Sequence, residues 1–80
     1  VIRDAETGWA EATIQIEGVT LTFAESMTVR VALSAFRMRL ADPAFRDGLG
    51  EQLARNYDEH ARMVERMLLV AIRHDRRGFA

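Results

Sequence analysis

The chain has no cysteine and no lysine, and it holds one proline, one tryptophan and one tyrosine in 80 residues. Without cysteine, disulfides and thiolate metal sites are excluded, and the composition fits a reducing compartment. No basic stretch leads into an apolar one as a secretory leader would, and no apolar run is long enough to span a bilayer. The expected location is therefore the cytoplasm. Val1 in place of Met is compatible with a processed or truncated start. A strong charge of either sign is also missing. The net charge of −1 gives no general attraction to nucleic acid or anionic lipid.

All 11 basic residues are Arg. A GC-rich coding genome accounts for such a bias without any function. Arg forks also suit carboxylate and phosphate partners, but here they are interleaved with Asp and Glu, which favours the plainer account. Eighty residues make one small domain, which buries only about 60% of the surface its unfolded chain exposes. A staple, a metal or a partner is then a fair expectation.

Residues 1–10 show no period and read as a loose N-terminal arm with Trp9 as its apolar anchor. Residues 12–23 alternate. Ala12, Ile14 and Ile16 share one strand face, and Val19, Leu21 and Phe23 repeat the pattern after Glu17-Gly18. A two-residue turn there would pair Ile16 with Val19, Ile14 with Leu21 and Ala12 with Phe23, so that every apolar side chain lands on one face. Thr22 and Glu25 fit a capping box for a helix over about 24–41, with Ser26 as an alternative start. Asp42-Pro43 ends that helix and begins the next, because Pro disfavours helical geometry in the residue before it and suits the first helical position. Gly48 and Gly50 interrupt the second segment, predicting a short turn at 43–47 and a long helix from about 50.

The first helix carries two apolar stripes on opposite sides, Val29, Leu33, Phe36 and Leu40 against Met27, Val31, Ala35 and Met38. A helix wet on one side needs one stripe, so cover on both sides is expected, with one stripe on the hairpin and the other on the long helix or a second chain. The long helix shows a stripe of Leu53, Tyr57, His60, Ala61, Val64, Met67, Leu68 and Ala71, with Arg55, Glu59, Arg62, Arg66 and Arg73 opposite. It outruns the shorter helix, which would leave Met67, Leu68, Leu69, Val70 and Ile72 as an exposed patch of the kind that marks interaction surfaces. A symmetric homodimer is the simplest cover.

Chemistry is poorly supported. His60 lies among Asn56, Tyr57, Asp58 and Glu59, but no second His or carboxylate follows at i+4 to complete a metal site, and His74 lies about 20 Å farther along. Ser26 and Ser34 have no nucleophile-elbow surroundings. Asp47-Gly48-Leu49-Gly50 lacks the strand and the Lys-Ser/Thr ending of a phosphate loop. Carboxylates at Glu51–Arg55 and Asp58–Arg62 fit solvated i,i+4 pairs. The Arg stripe Arg55, Arg62, Arg66 and Arg73, extended by Arg76 and Arg77, could grip phosphates, but Glu51, Glu59 and Glu65 compensate it. Residues 11–29 hold Glu11, Glu17 and Glu25 and no basic residue, so a groove-reading hairpin would be repelled. The same acids make the long helix a poor membrane-surface helix.

The expected protein is α+β: a β-hairpin followed by two helices (ββαα), the second long, assembled as a homodimer. One domain covers 11–75 and a frayed tail follows at 76–80. The expected function is non-catalytic protein–protein interaction, without metal or cofactor, as an adaptor, inhibitor or accessory factor. Its partners would be itself and another protein, through Met27, Val31, Met38, Met67, Leu68, Leu69 and Ile72. The alternative is an anion or nucleic-acid binder using Arg55, Arg62, Arg66 and Arg73.

Overall fold

The computed structural model describes residues 1–76, with side-chain surroundings through Arg73. It is α+β, with strands first and helices after. Strands β1 (Ile2–Arg3) and β2 (Ala10–Glu11) form one antiparallel pair, and β3 (Gln15–Ile16) and β4 (Val19–Thr20) form a second, separate one. Helices α1 (Phe23–Leu40), α2 (Pro43–Leu49) and α3 (Glu51–Arg76) follow. The expected frayed tail otherwise concerns residues 77–80, which lie outside the described residues; Arg76 itself closes α3.

The expected hairpin forms at its tip in the expected register, with Ile16 opposite Val19 and Gln15 opposite Thr20, and the Leu21 amide donates to the Ile14 carbonyl at 2.9 Å, but the expected Ala12–Phe23 pair does not form, because Phe23 opens α1. Glu17 and Gly18 both take positive φ, 52° and 79°, the pair of left-handed residues that lets a two-residue turn follow the strand twist. What differs is its burial. Ile16 and Val19 are exposed, so the tip projects from the body, and the expected apolar face is covered only at its base, by half at Ile14, Leu21 and Phe23 and fully at Ala12.

The N-terminal arm is not loose. Ile2 pairs with Glu11 and Arg3 with Ala10 across a braced turn. In that turn Thr7 donates to Asp4 Oδ2 through both its hydroxyl, at 2.6 Å, and its amide, at 3.2 Å. The Trp9 amide donates to Thr7 Oγ1 at 3.2 Å. Thr7 and Trp9 are thus fixed by an Asx-type turn, a short-range arrangement with no period to reveal it. Trp9 does not anchor the arm either, being 61% exposed. It is β2 that packs on α1 and α3, with Ala10, Glu11 and Ala12 all buried.

The helix ends form as their sequence signals require. Thr22 Oγ1 accepts from the Glu25 amide at 3.2 Å while Glu25 returns the bond to the Thr22 amide at 2.8 Å. Asp42 caps α2, accepting from the Ala44 amide at 3.1 Å, with Pro43 at the first helical position. Arg46 turns back to donate to the Leu40 carbonyl at 3.2 Å, satisfying an acceptor orphaned at the end of α1. Gly50, at φ 90°, breaks α2 from α3.

Helices α1 and α3 pack together. Phe36 meets the Tyr57 ring edge-on at 5.6 Å, and Arg37 pairs with Glu65. Phe45 of α2 closes the end of this contact, 6.3 Å edge-on from Phe36 and 4.4 Å beneath the Arg39 guanidinium. The hydrophobic side chains buried among the described residues are Ala10, Ala12, Leu40, Ala54, Ala61 and Leu68, four of the six being alanine. So thin a core contributes little, because burial stabilises roughly in proportion to the apolar area removed from water.

Candidate interaction surfaces

Which faces of α1 and α3 stay uncovered follows from their packing. The buried or half-buried side of α1 carries Phe23, Ser26, Arg30, Leu33, Arg37 and Leu40. Two of these are Arg, and each meets a Glu. Arg30 clamps Glu11 of β2, with Nε 2.9 Å from both carboxylate oxygens and a terminal nitrogen 2.8 Å from Oε1. Arg37 pairs with Glu65 of α3. The bonds to Glu11 raise the Arg30 pKa above its ordinary value against the opposing cost of burial, with the charges of Glu11 and Glu65 adding to the effect. Ser26 Oγ and Arg37 Nε are buried without a hydrogen-bond partner among the described residues.

The first helix is therefore not covered on both sides within one chain. Its stripe of Val29, Leu33, Phe36 and Leu40 is covered except at Val29. The opposite stripe of Met27, Val31, Ala35 and Met38 is open, reaching 75% exposure at Met38. At its amino end it adjoins a cleft of about 340 Å³ lined by Trp9, Phe23 and Met27, with Asp4 and Thr7 beside them and the Arg30–Glu11 pair also lining it. Thr7's bonds, its hydroxyl first, hold the Asp4 carboxyl below its ordinary value despite some opposing desolvation.

On α3 two seams lie one residue apart. Ala54, Asp58, Ala61, Glu65, Leu68 and Ile72 are buried or half-buried. Leu53, Tyr57, His60, Val64 and Met67 are all exposed, and Ala71 completes that row half-buried. Both rows advance in alternating steps of four and three, the spacing of a helix seam that receives another helix. The expected stripe combined members of both rows. Leu68 is 8% exposed within the chain, and Leu69 and Ile72 are half-buried, so of the expected overhang only Met67 and Val70 stand open. Besides α1, α3 also packs against β2. Met27, Val31, Met38 and Met67 are at the surface, as an interface would need.

The Arg stripe is partly assembled. Arg62, Arg66 and Arg73 line one groove of about 220 Å³ with Arg37, Glu65 and Leu69, while Arg55 lies apart. Arg55 and Arg62 make the expected i,i+4 pairs, with Glu51 at 3.6 Å and Asp58 at 3.2 Å. No ion-pair partner is found for Arg66 or Arg73 among the described residues. His60 is exposed, and Tyr57 packs on Phe36. Among the described residues, no three His, Cys, Asp or Glu side chains group as metal ligands, and no helix is long and apolar enough to cross a membrane.

The composition-based reading did not foresee Glu11 as a buried member of an ion pair. A Glu in an alternating stretch reads as a solvent-facing residue, and only the approach of Arg30, 19 residues on, reverses that. Arg37 joins the Arg groove for the same reason, through a contact that helix periodicity cannot show. Comparison with protein-family models, curated protein sequences and solved structures gave no match to this chain.

Proposed function

We propose that this chain is a non-catalytic protein–protein interaction module that works as a homodimer in the cytoplasm, as an adaptor, inhibitor or accessory factor. One observation carries the reading: a core made mostly of alanine lies between two helices that each keep an apolar face open. Met27, Val31 and Met38 are exposed on α1, and Leu53, Tyr57, Met63, Val64, Met67 and Val70 on α3. Contiguous apolar surface of this kind is characteristic of partner-binding faces. The dimensions agree. The radius of gyration is 14.9 Å, against about 12 Å for a compact domain of this length, as befits one half of an assembly.

Light scattering over a dilution series, at low and moderate salt, tests the reading. The expected mass is twice the 9.1 kDa of the chain, persisting at moderate salt because apolar contacts are not screened. A monomer at every concentration would end the homodimer reading.

A second reading is favoured by the groove in which Arg62, Arg66 and Arg73 gather with Arg37. It would bind an anion such as a nucleic-acid phosphate, since Arg presents paired donors to phosphate oxygens. A salt-sensitive mobility shift with DNA or RNA, abolished by replacing Arg62 and Arg66 with Glu, is its expected signature. The absence of any shift at low salt would remove it.

A further inference from the structure

We infer that the cleft between the N-terminal turn and α1 binds an organic cation whose ammonium head is alkylated. Such a site stands whether or not the chain dimerises. The cleft, of about 340 Å³, has two walls. One is the turn before β2, which contributes Asp4, Thr7 and Trp9. The other is α1, where Phe23 and Met27 stand four residues apart and so lie one above the other on the same helix face. Three contacts of 2.8–2.9 Å between Arg30 of α1 and Glu11 of β2 hold the two walls together. Trp9 is 61% exposed, although burial of an indole is strongly favourable. Its own turn keeps it there. The Asp4 amide donates to the Trp9 carbonyl at 2.8 Å, and the Trp9 amide donates to Thr7 Oγ1 at 3.2 Å. The same turn carries the Asp4 carboxylate, whose Oδ2 accepts from Thr7. An aromatic ring and a carboxylate are thus fixed together at one cleft.

Charge decides what such a cleft takes. The lining has two carboxylates, Asp4 and Glu11, and one guanidinium, Arg30, a net charge of −1. Arg30 engages both Glu11 oxygens, so that pair is neutral and Asp4 supplies the net charge. The Thr7 bonds hold the Asp4 carboxyl below its ordinary pKa, which keeps it ionised at neutral pH. Around it, residues 1–29 contain Asp4, Glu6, Glu11, Glu17 and Glu25 against Arg3 as the single basic side chain, a field that draws cations in. An anion would be repelled, and an uncharged apolar group would gain nothing from Asp4. A bare ammonium would give up strong hydration for the largely apolar walls of Trp9, Phe23 and Met27. An alkylated ammonium is weakly hydrated, keeps its charge, and is attracted to aromatic faces, to Trp most of all.

Trp9 is the sole tryptophan, so its fluorescence reports occupancy of the cleft. Choline is the probe, and dimethylbutanol, in which a carbon replaces the charged nitrogen, is its uncharged isostere, both at matched ionic strength. The expected result is a saturable change in Trp9 emission with choline, at a Kd about tenfold or more below that for dimethylbutanol. Met27→Arg, which sets a positive charge on the α1 wall, should abolish the choline response with unchanged circular dichroism, whereas Met27→Gln should retain part of it. A short peptide carrying trimethyllysine presents the same head group. Tighter binding than choline assigns that group to a partner's side chain, and binding no tighter assigns it to a free small molecule. Equal affinity for choline and dimethylbutanol would overturn the inference, because charge would then play no part. So would choline binding that persists in Met27→Arg, which places the site elsewhere, or the absence of a saturable response to both choline and the peptide.

Discussion

The two seams of α3 differ by one residue in position and by nearly everything in environment. Leu68 is 8% exposed and its neighbour Met67 is 62% exposed. On one seam, alanines at 54 and 61 let α1 and β2 come close, and the two carboxylates among them, Asp58 and Glu65, are each paired with Arg. On the other, the larger side chains Leu53, Tyr57, Val64 and Met67 stay exposed, although Tyr57 also meets Phe36 with one edge of its ring. Two of the packed positions are alanine, whereas Leu53, Tyr57, Val64 and Met67 keep more than a third of their surface exposed, so much of the apolar area of α3 stays at the surface of the single chain. The comparison teaches that seam position alone does not identify the core of such a helix.

Substituting the two neighbours separates their roles, with the largest effect expected at Leu68. Leu68→Ala removes a buried side chain and should destabilise the fold by about 2–4 kcal/mol, since the cavity left behind adds to the lost transfer energy. Its urea midpoint should fall by a similar amount at low and high protein concentration. Met67→Ala should leave the dilute chain within about 0.5 kcal/mol of its original stability, as surface substitutions do. It should lower the midpoint only where concentration favours association. If both variants behave alike, the two seams are equivalent and the contrast fails.

Charge on the packed side gives the next effect. Removing one member of a buried pair strands the other, and costs of about 3–5 kcal/mol are typical when both are fully buried. Here Glu11 is 3% exposed at its side chain but Arg30 is 29% exposed, so water screens part of the loss. Glu11→Ala should therefore destabilise by about 1–3 kcal/mol in urea unfolding. Joint replacement of Glu11 and Arg30 by Met should recover much of it, because no charge is then left without its partner. A recovery of nothing would mean the pair positions β2 in a way that apolar contact cannot reproduce.

Local signals were legible in the sequence and long-range ones were not. The Thr22–Glu25 box, the Asp42-Pro43 junction, the Glu17-Gly18 turn and the break at Gly50 all depend on residues within four positions of one another, and each forms where its signal lies. Strands β1 and β2 have two residues each, too few to show a period, and so an arm that forms a hairpin read as loose. The apolar rows of α1 and α3 were visible, but their assignment to inside or outside turned on a rotation of one residue. That rotation is fixed by tertiary contacts, among them the Arg30–Glu11 and Arg37–Glu65 pairs, which no local pattern shows. The apolar faces were thus visible in the sequence, but not which of their members are open, and Leu68, expected in an exposed patch, is buried.

The smallest effect belongs to the turn that presents Trp9 at the end of the open α1 face. Asp4 is held below its ordinary pKa chiefly by the Thr7 hydroxyl, with bonds from the Thr7 and Glu6 amides adding to it. A depressed carboxyl contributes stability that is present above its unfolded value and is lost as the pH falls through its folded one. The brace on Trp9 should therefore hold at neutral pH and loosen only in acid, below the ordinary carboxylate range. Trp9 is the sole tryptophan, so its fluorescence reports the change without interference. The emission of the parent chain should shift in acid, while Asp4→Asn should show the loosened spectrum at neutral pH and lack the acid step. Asp4 is half-buried and acts on one turn, so neither change should displace the urea midpoint as Leu68→Ala does. An acid step that survives in the Asp4→Asn variant would break the link between the Asp4 carboxyl and the Trp9 turn.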